Sequence, residues 1–188
     1  LAFITSAENR HLNIVKHLFN NISFIKSSSD EALQLSALKG HFDIVTYLLP
    51  KLLNTNYDNT LKTAAWNWHL DIVKLLVEQG TDIHAQDDYA LKWSASNGHL
   101  NVVKYLVEQG SNIYIKNYYP FSASISNGHL SIVNYFIMDC NMKINKFIFK
   151  WLQDLNHLNI IRTINARDLN FKLDKKADDL TSLNKIKI

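Results

Sequence analysis

The chain has 188 residues, 47% hydrophobic and 11% aromatic, which is ample for a continuous core within one or two domains. Its 20 Lys+Arg stand against 17 Asp+Glu, and a net charge of +3 is too balanced to argue for a nucleic-acid or membrane surface. The single cysteine, Cys140, excludes an internal disulfide and fits a reducing compartment, where it reads as a buried, inert thiol. No apolar run approaches the ~18 residues of a membrane span, and no signal peptide is visible. The expected location is therefore intracellular, in the cytoplasm. The chain opens on Leu1 at what reads as the start of a helix, so a fragment cut from a longer chain is expected.

One pattern recurs. His-Leu/Phe-x-Ile/Val-Val/Ile occurs at His11, His41, His69, His99, His129 and His157, in steps of 30, 28, 30, 30 and 28 residues. A fixed period of this size marks a stacked repeat array. The first unit, near 1–30, has Arg10 before its histidine and a connector over 20–29 that reads as a loose, Ser-rich loop. The second, 31–58, carries Ala32-Leu33 and Gly40-His41, and Pro50 stops its second helix early. The third, 59–88, has Leu61 to Ala65, then His69 to Gln79, closed by Gly80. Trp68 stands there in place of the turn glycine. A bulky residue in left-handed geometry is costly, so a distorted turn is expected.

The fourth unit, 89–118, is the best formed. Ala90, Leu91 and Ala95 share one face of a first helix, and Gly98 ends it. Leu100, Val102, Val103, Leu106 and Val107 then mark the core face of a second helix, which Gly110 ends. The segment Ile113 to Tyr118 reads as an extended connector. The fifth unit, 119–146, has Pro120 in the first turn of its first helix, where a missing N–H is harmless. The sixth, 147–169, is irregular, and 170–188 reads as a closing segment or tail. Helices of two to three turns are marginal alone in water, so each must bury its apolar face on a neighbour.

These motifs resemble the ankyrin-repeat family. Gly98-His99-Leu100-Asn101-Val102-Val103 and Gly128-His129-Leu130-Ser131-Ile132-Val133 match its Gly-His-Leu-x-x-Val-Val block. Gly80-Thr81-Asp82-Ile83 and Gly110-Ser111-Asn112-Ile113 are similar to its Gly-Ala-Asp block. The resemblance spans roughly 1–167. It implies an all-α, ankyrin-type solenoid of helix-turn-helix repeats over 1–169. The period is shorter than the family's ~33 residues, and the missing residues fall between Ile83 and Tyr89, which implies shortened hairpin connectors. This short variety resembles ankyrin proteins of amoebal giant viruses, which implies a viral product acting inside a host cell.

The resemblance further implies a protein–protein interaction scaffold, binding through a concave face made of hairpin tips and the exposed side of each first helix. On that face fall Trp66, Asn67, Ser96, Asn97, Ser126 and Asn127, with Tyr57 and Tyr89 near the adjacent hairpins. Trp66 leads because tryptophan is enriched at interface hot spots; the competing expectation packs it against Trp68 or Trp93. Two alternatives remain: a nucleic-acid surface lined by Lys62, Lys92 and Lys116, or the recognition arm of a larger multidomain adaptor.

No catalytic residue, metal site, cofactor or small-molecule substrate is expected. In-phase histidines one repeat apart, ~8–10 Å by helix packing, cannot converge on a metal that needs nitrogens at ~2 Å. Each is expected to hydrogen-bond backbone at its helix-turn-helix corner. His17 and His84 read as surface residues, and Asp87-Asp88 as a turn rather than a general acid/base pair.

Overall fold

In the computed structural model, residues 1–21, 26–52, 57–154 and 158–165 are described. His157, and the tail read over 170–188, lie outside them. The chain divides into two units, Leu1–His129 and Leu130–Ile188.

In the first unit, α1 (Ala2–Glu8), α3 (Lys26–Lys39), α5 (Asp58–Trp66), α7 (Ala85–Ser96) and α9 (Ile115–Ser126) alternate with α2 (Leu12–Asn21), α4 (Phe42–Leu48), α6 (Leu70–Glu78) and α8 (Leu100–Glu108). The odd helices pack in sequence, α1 on α3, α3 on α5, α5 on α7, α7 on α9. The even helices form a second row, α2 on α4, α4 on α6, α6 on α8. Each helix is too short to persist alone, and the row supplies the burial it lacks. The repeated Ala-Ala and Val-Val positions meet in the middle: Ala64, Ala65, Val73, Ala95, Val102, Val103 and Leu106 are fully buried.

Every corner between an odd helix and the next even one closes in the same way. His99 N–H donates to the Ser94 carbonyl at 2.9 Å, and His69 N–H to Ala64 at 3.0 Å. This is the helix-ending turn that needs one left-handed residue. Gly98 fills it at φ 81°, and Trp68 fills it at φ 69°. The distortion expected at Trp68 does not occur. Leu70 N–H reaches the Trp68 carbonyl at 3.0 Å, as Leu100 N–H reaches Gly98. The indole, 64% exposed, lies parallel to the His99 ring at 6.1 Å and 8°, and that stacking offsets part of the backbone cost.

Other expectations are corrected. Helix α3 starts at Lys26, so Ser27 to Ser29 are helical and Ser29 is buried, not part of a loose loop. The connectors are not extended, and no strand occurs among the described residues. Gln86, Asp87 and Asp88 instead take left-handed dihedrals in succession, and Lys116, Asn117 and Tyr118 repeat the device one unit on. Right-handed helix resumes after them, so Pro120 does sit in a first turn. Leu100, read as core, is only half-buried: it is the first residue of α8, beside the corner, and its inward neighbours are Val102 and Val103. Pro50 lies in a 3-10 turn, Leu49–Lys51, that follows the end of α4 at Leu48.

The second unit opens with α10 (Leu130–Asn134), which runs into a π-helical turn, Tyr135–Asp139. Next come α11 (Lys146–Asp154) and a helix over 158–165. Among its described residues, Ile132, Val133, Phe136, Ile137, Met142, Leu152, Ile160 and Ile164 are buried.

Candidate functional site

The histidines do more than cap corners. Four of them reach backwards, across the repeat boundary, to the end of the preceding odd helix. Nε2 of His41 meets the Glu8 carbonyl at 2.8 Å, His69 meets Leu38 at 3.0 Å, His99 meets Trp66 at 2.7 Å and His129 meets Ser96 at 2.8 Å. A carbonyl only accepts, so Nε2–H donates in all four. His11 holds the same corner in the first unit and is exposed. The sequence pattern placed these rings at corners; it did not reveal that they tie one repeat to the next. Burial, with the nearby His129 and His69, holds His99 below the ordinary imidazole value, against the Trp66 carbonyl bond that raises it. Among the described residues, no three His, Cys, Asp or Glu side chains gather closely enough for a metal ion.

This tie fixes the predicted surface. The Trp66 carbonyl accepts from His99 and also from Asn97 Nδ2 at 3.2 Å. The Trp66 indole is 40% exposed, and its other side lies 4.5 Å from the Trp93 ring, which in turn sits 5.5 Å from Tyr89. Trp66 thus shows one face and packs the other on Trp93, while Trp68 stacks elsewhere, on His99. The structure brings Trp66 and Tyr89 together through Trp93. It also makes a groove of about 230 Å³ beside Trp66, lined by Leu38, Lys62, Thr63, Trp66 and Asn67.

Most of the other predicted residues have internal partners. The Tyr57 hydroxyl donates to the Leu52 and Leu49 carbonyls, and burial, then Asp30, pushes its phenol above the ordinary value. Asn67 Nδ2 donates back to Thr63 at 2.9 Å. Asn127 Nδ2 donates to the Ser96 carbonyl at 2.9 Å and hydroxyl at 3.0 Å. Ser126 is exposed. Tyr57 therefore pins the end of the second repeat, and Asn97 and Asn127 are ties parallel to the histidines.

Each of the three basic residues has a local contact. Lys116 pairs with Asp87 at 3.0 Å, and this neighbour holds the exposed Asp87 carboxyl below its usual range. Lys92 donates to the Gln86 carbonyl at 3.1 Å. Lys62 donates to Asn59 Oδ1 at 3.1 Å and lies 5.0 Å over the Tyr89 ring.

Two readings of single residues change. Asp88 is only 3% exposed. One carboxylate oxygen accepts from His84 Nδ1 at 3.0 Å and from the Asn112 backbone N–H at 3.1 Å, which ties one connector to the next. His84 is exposed but engaged. Cys140 is half-buried rather than buried; burial pushes its thiol up.

Two rows of short helices, closed by identical corners and tied corner to corner, define a helical repeat array whose units recognise one another by a shared bond. The matching family model is that of ankyrin repeats, over residues 3–87 and 64–148, and the chain belongs to the ankyrin-repeat family. It is 36% identical over 79 residues to one ankyrin repeat protein of Acanthamoeba polyphaga mimivirus, covering 42% of this chain and 28% of that protein. It is 36% identical over 73 residues to a second from the same virus, covering 38% of this chain and 11% of that one. The matched stretch is thus a minor part of both relatives. Ankyrin repeats are in general protein–protein interaction modules of a non-enzymatic, scaffold type. Among the described residues, no helix is long and apolar enough to cross a membrane.

Proposed function

We propose that this chain binds a protein partner through the concave face built from its odd-numbered helices, with Trp66 as the anchor and Trp93 and Tyr89 behind it. Recognition is by surface complementarity, without chemistry or cofactor. The observation that carries the reading is the Trp66 indole: partly exposed, backed by a second indole, and fixed at its own carbonyl by two donors. A rigid aromatic in that state loses little conformational freedom on binding, which is what an interface anchor needs. The setting proposed is the cytoplasm of a host cell, in keeping with the viral relatives. Their greater length favours a second reading on the same surface, in which the array is the recognition arm of a larger protein. The engagement of Lys62, Lys92 and Lys116 in local contacts disfavours the nucleic-acid alternative.

Affinity capture from host-cell lysate with the full chain and with Trp66→Ala tests the reading, with far-UV circular dichroism as the control for folding. The expected result is a protein recovered by the wild type and lost with the variant. Equal recovery by a folded Trp66→Ala refutes it, and recovery of nucleic acid that disappears at high salt favours the alternative.

A further inference from the structure

The groove beside Trp66 has a chemistry of its own. Its walls are apolar, the exposed Leu38 side chain of α3 and the Trp66 indole of α5, and its rim is Lys62, Thr63 and Asn67. A volume of about 230 Å³ falls below the ~300–1,000 Å³ of typical small-molecule pockets. A single side chain is the scale that fits.

The backbone behind both walls is held before anything binds. His69 holds the Leu38 carbonyl, and His99 with Asn97 holds the Trp66 carbonyl. Preorganisation of this kind lowers the ordering cost of association.

The charges nearest the aromatic wall of the groove are the ammonium groups of Lys62 and Lys92, with Asp58 one turn before Lys62 on α5. Among the described residues no carboxylate lies within ion-pair distance of the Lys62 ammonium, whose contacts are the Asn59 amide oxygen and the Tyr89 ring face. Lys92 lies over the same ring at 5.5 Å. Asp87, near Lys92, is committed to Lys116. Two ammonium groups therefore flank an aromatic cluster whose outermost member, Trp66, opens on an apolar slot.

We infer that this groove takes a short acidic segment of a partner protein, with one large apolar side chain seated between Leu38 and Trp66 and a carboxylate paired with Lys62. The inference rests on the proposed protein-binding role of the Trp66 surface and names the partner's chemistry. A basic segment would meet Lys62 and Lys92 with like charge, which disfavours it. An apolar segment without acid would leave the Lys62 ammonium beside it without a carboxylate, forgoing the charge-assisted hydrogen bond that fixes register.

Selection of peptides from a random library of about 12 residues, displayed on phage against the full chain, tests this whatever the partner's identity. The enriched peptides are then synthesised and their affinities measured by fluorescence anisotropy. The expected result is enrichment of a Leu, Phe or Trp flanked by Asp or Glu. Binding should weaken by about tenfold or more in Trp66→Ala and severalfold in Lys62→Met, and more in Lys62→Glu. It should also weaken severalfold between about 50 and 500 mM salt. Circular dichroism checks that each variant is folded; the half-exposed Lys62 can be replaced even if Trp66→Ala destabilises the fold.

Enrichment of neutral or basic peptides, or affinity unchanged within about twofold in Lys62→Glu, overturns the inference. If Trp66→Ala still abolishes binding in that case, the surface stands and only the acidic chemistry fails. Peptides indifferent to both substitutions overturn the inference and the proposed surface together. A selection that enriches nothing overturns the inference, while the lysate capture still decides the broader reading.

Discussion

Trp68 offers a direct reading of what a corner costs. The residue holds the left-handed position at φ 69° and stacks on His99 at 6.1 Å. Trp68→Ala keeps the Cβ and its left-handed penalty but removes the stack, worth about 0.5–1.5 kcal/mol. Trp68→Gly removes the stack too, yet relieves the left-handed cost of about 1–2 kcal/mol. Against that relief stands the greater freedom of an unfolded glycine, about 0.5–1 kcal/mol. The balance favours glycine over alanine at this corner by about 0.5–1 kcal/mol. Trp68→Ala should therefore destabilise by about 1 kcal/mol and Trp68→Gly by about 0.5 kcal/mol or less. Gly80→Ala is the converse, since Gly80 has φ 83° and an added Cβ there meets nothing within 4 Å. It should lose the same 0.5–1 kcal/mol that Trp68→Gly recovers relative to alanine. Urea unfolding followed at 222 nm resolves these differences as shifts of the midpoint at constant slope. If Trp68→Ala proves as stable as Trp68→Gly, the left-handed backbone assigned to this corner is wrong.

Leu106→Ala, at a fully buried site, should destabilise by about 2–5 kcal/mol, and Leu100→Ala, half-buried, by less than half as much; equal losses in urea unfolding would contradict the burial pattern. Stability should fall as pH drops below about 6.5, because the unfolded His99 takes up its proton at the ordinary value while the folded ring resists it. The contribution is complete above that pH and is lost progressively below it. Replacing His99 with Gln should flatten this part of the profile, and an unchanged profile would exclude His99 as its source. Asp88→Ala leaves the Asn112 N–H without its carboxylate and should cost about 1–3 kcal/mol. Faster amide exchange at Asn112 should accompany it, and unaltered exchange there would show the tie to be unimportant.

The helices were legible because their signals are local: a period near 30, small residues at Ala64-Ala65 and Ala95, and Val102-Val103 one face on. The corner at Gly98 was legible for the same reason. What escaped was set by distant neighbours. Asp87-Asp88 reads as a turn, but nothing near Gln86-Asp87-Asp88 signals three left-handed residues in succession, since none of the three is glycine. Asp88 there meets His84 and, 24 residues on, Asn112. The ties of His99 and Asn97 to Trp66 span 33 and 31 residues, so periodicity could place the rings but not their partners. Trp66 was singled out by position along its helix. Its backing by Trp93 and the adjoining slot depend on how α3, α5 and α7 pack, which no single stretch encodes.

The bonds from the histidines end on main-chain oxygens, at Glu8, Leu38, Trp66 and Ser96. A peptide oxygen is present whatever side chain sits above it, so the bond itself asks nothing of the side chains at those four positions, whereas the corner residue beside it is constrained: an added Cβ at Gly40 or Gly98 would lie 2.5 or 2.7 Å from the next repeat's histidine ring. Modules built this way can be duplicated or deleted within a gene with the joint kept, and the side chains above the accepting oxygens are left to diversify under selection from outside.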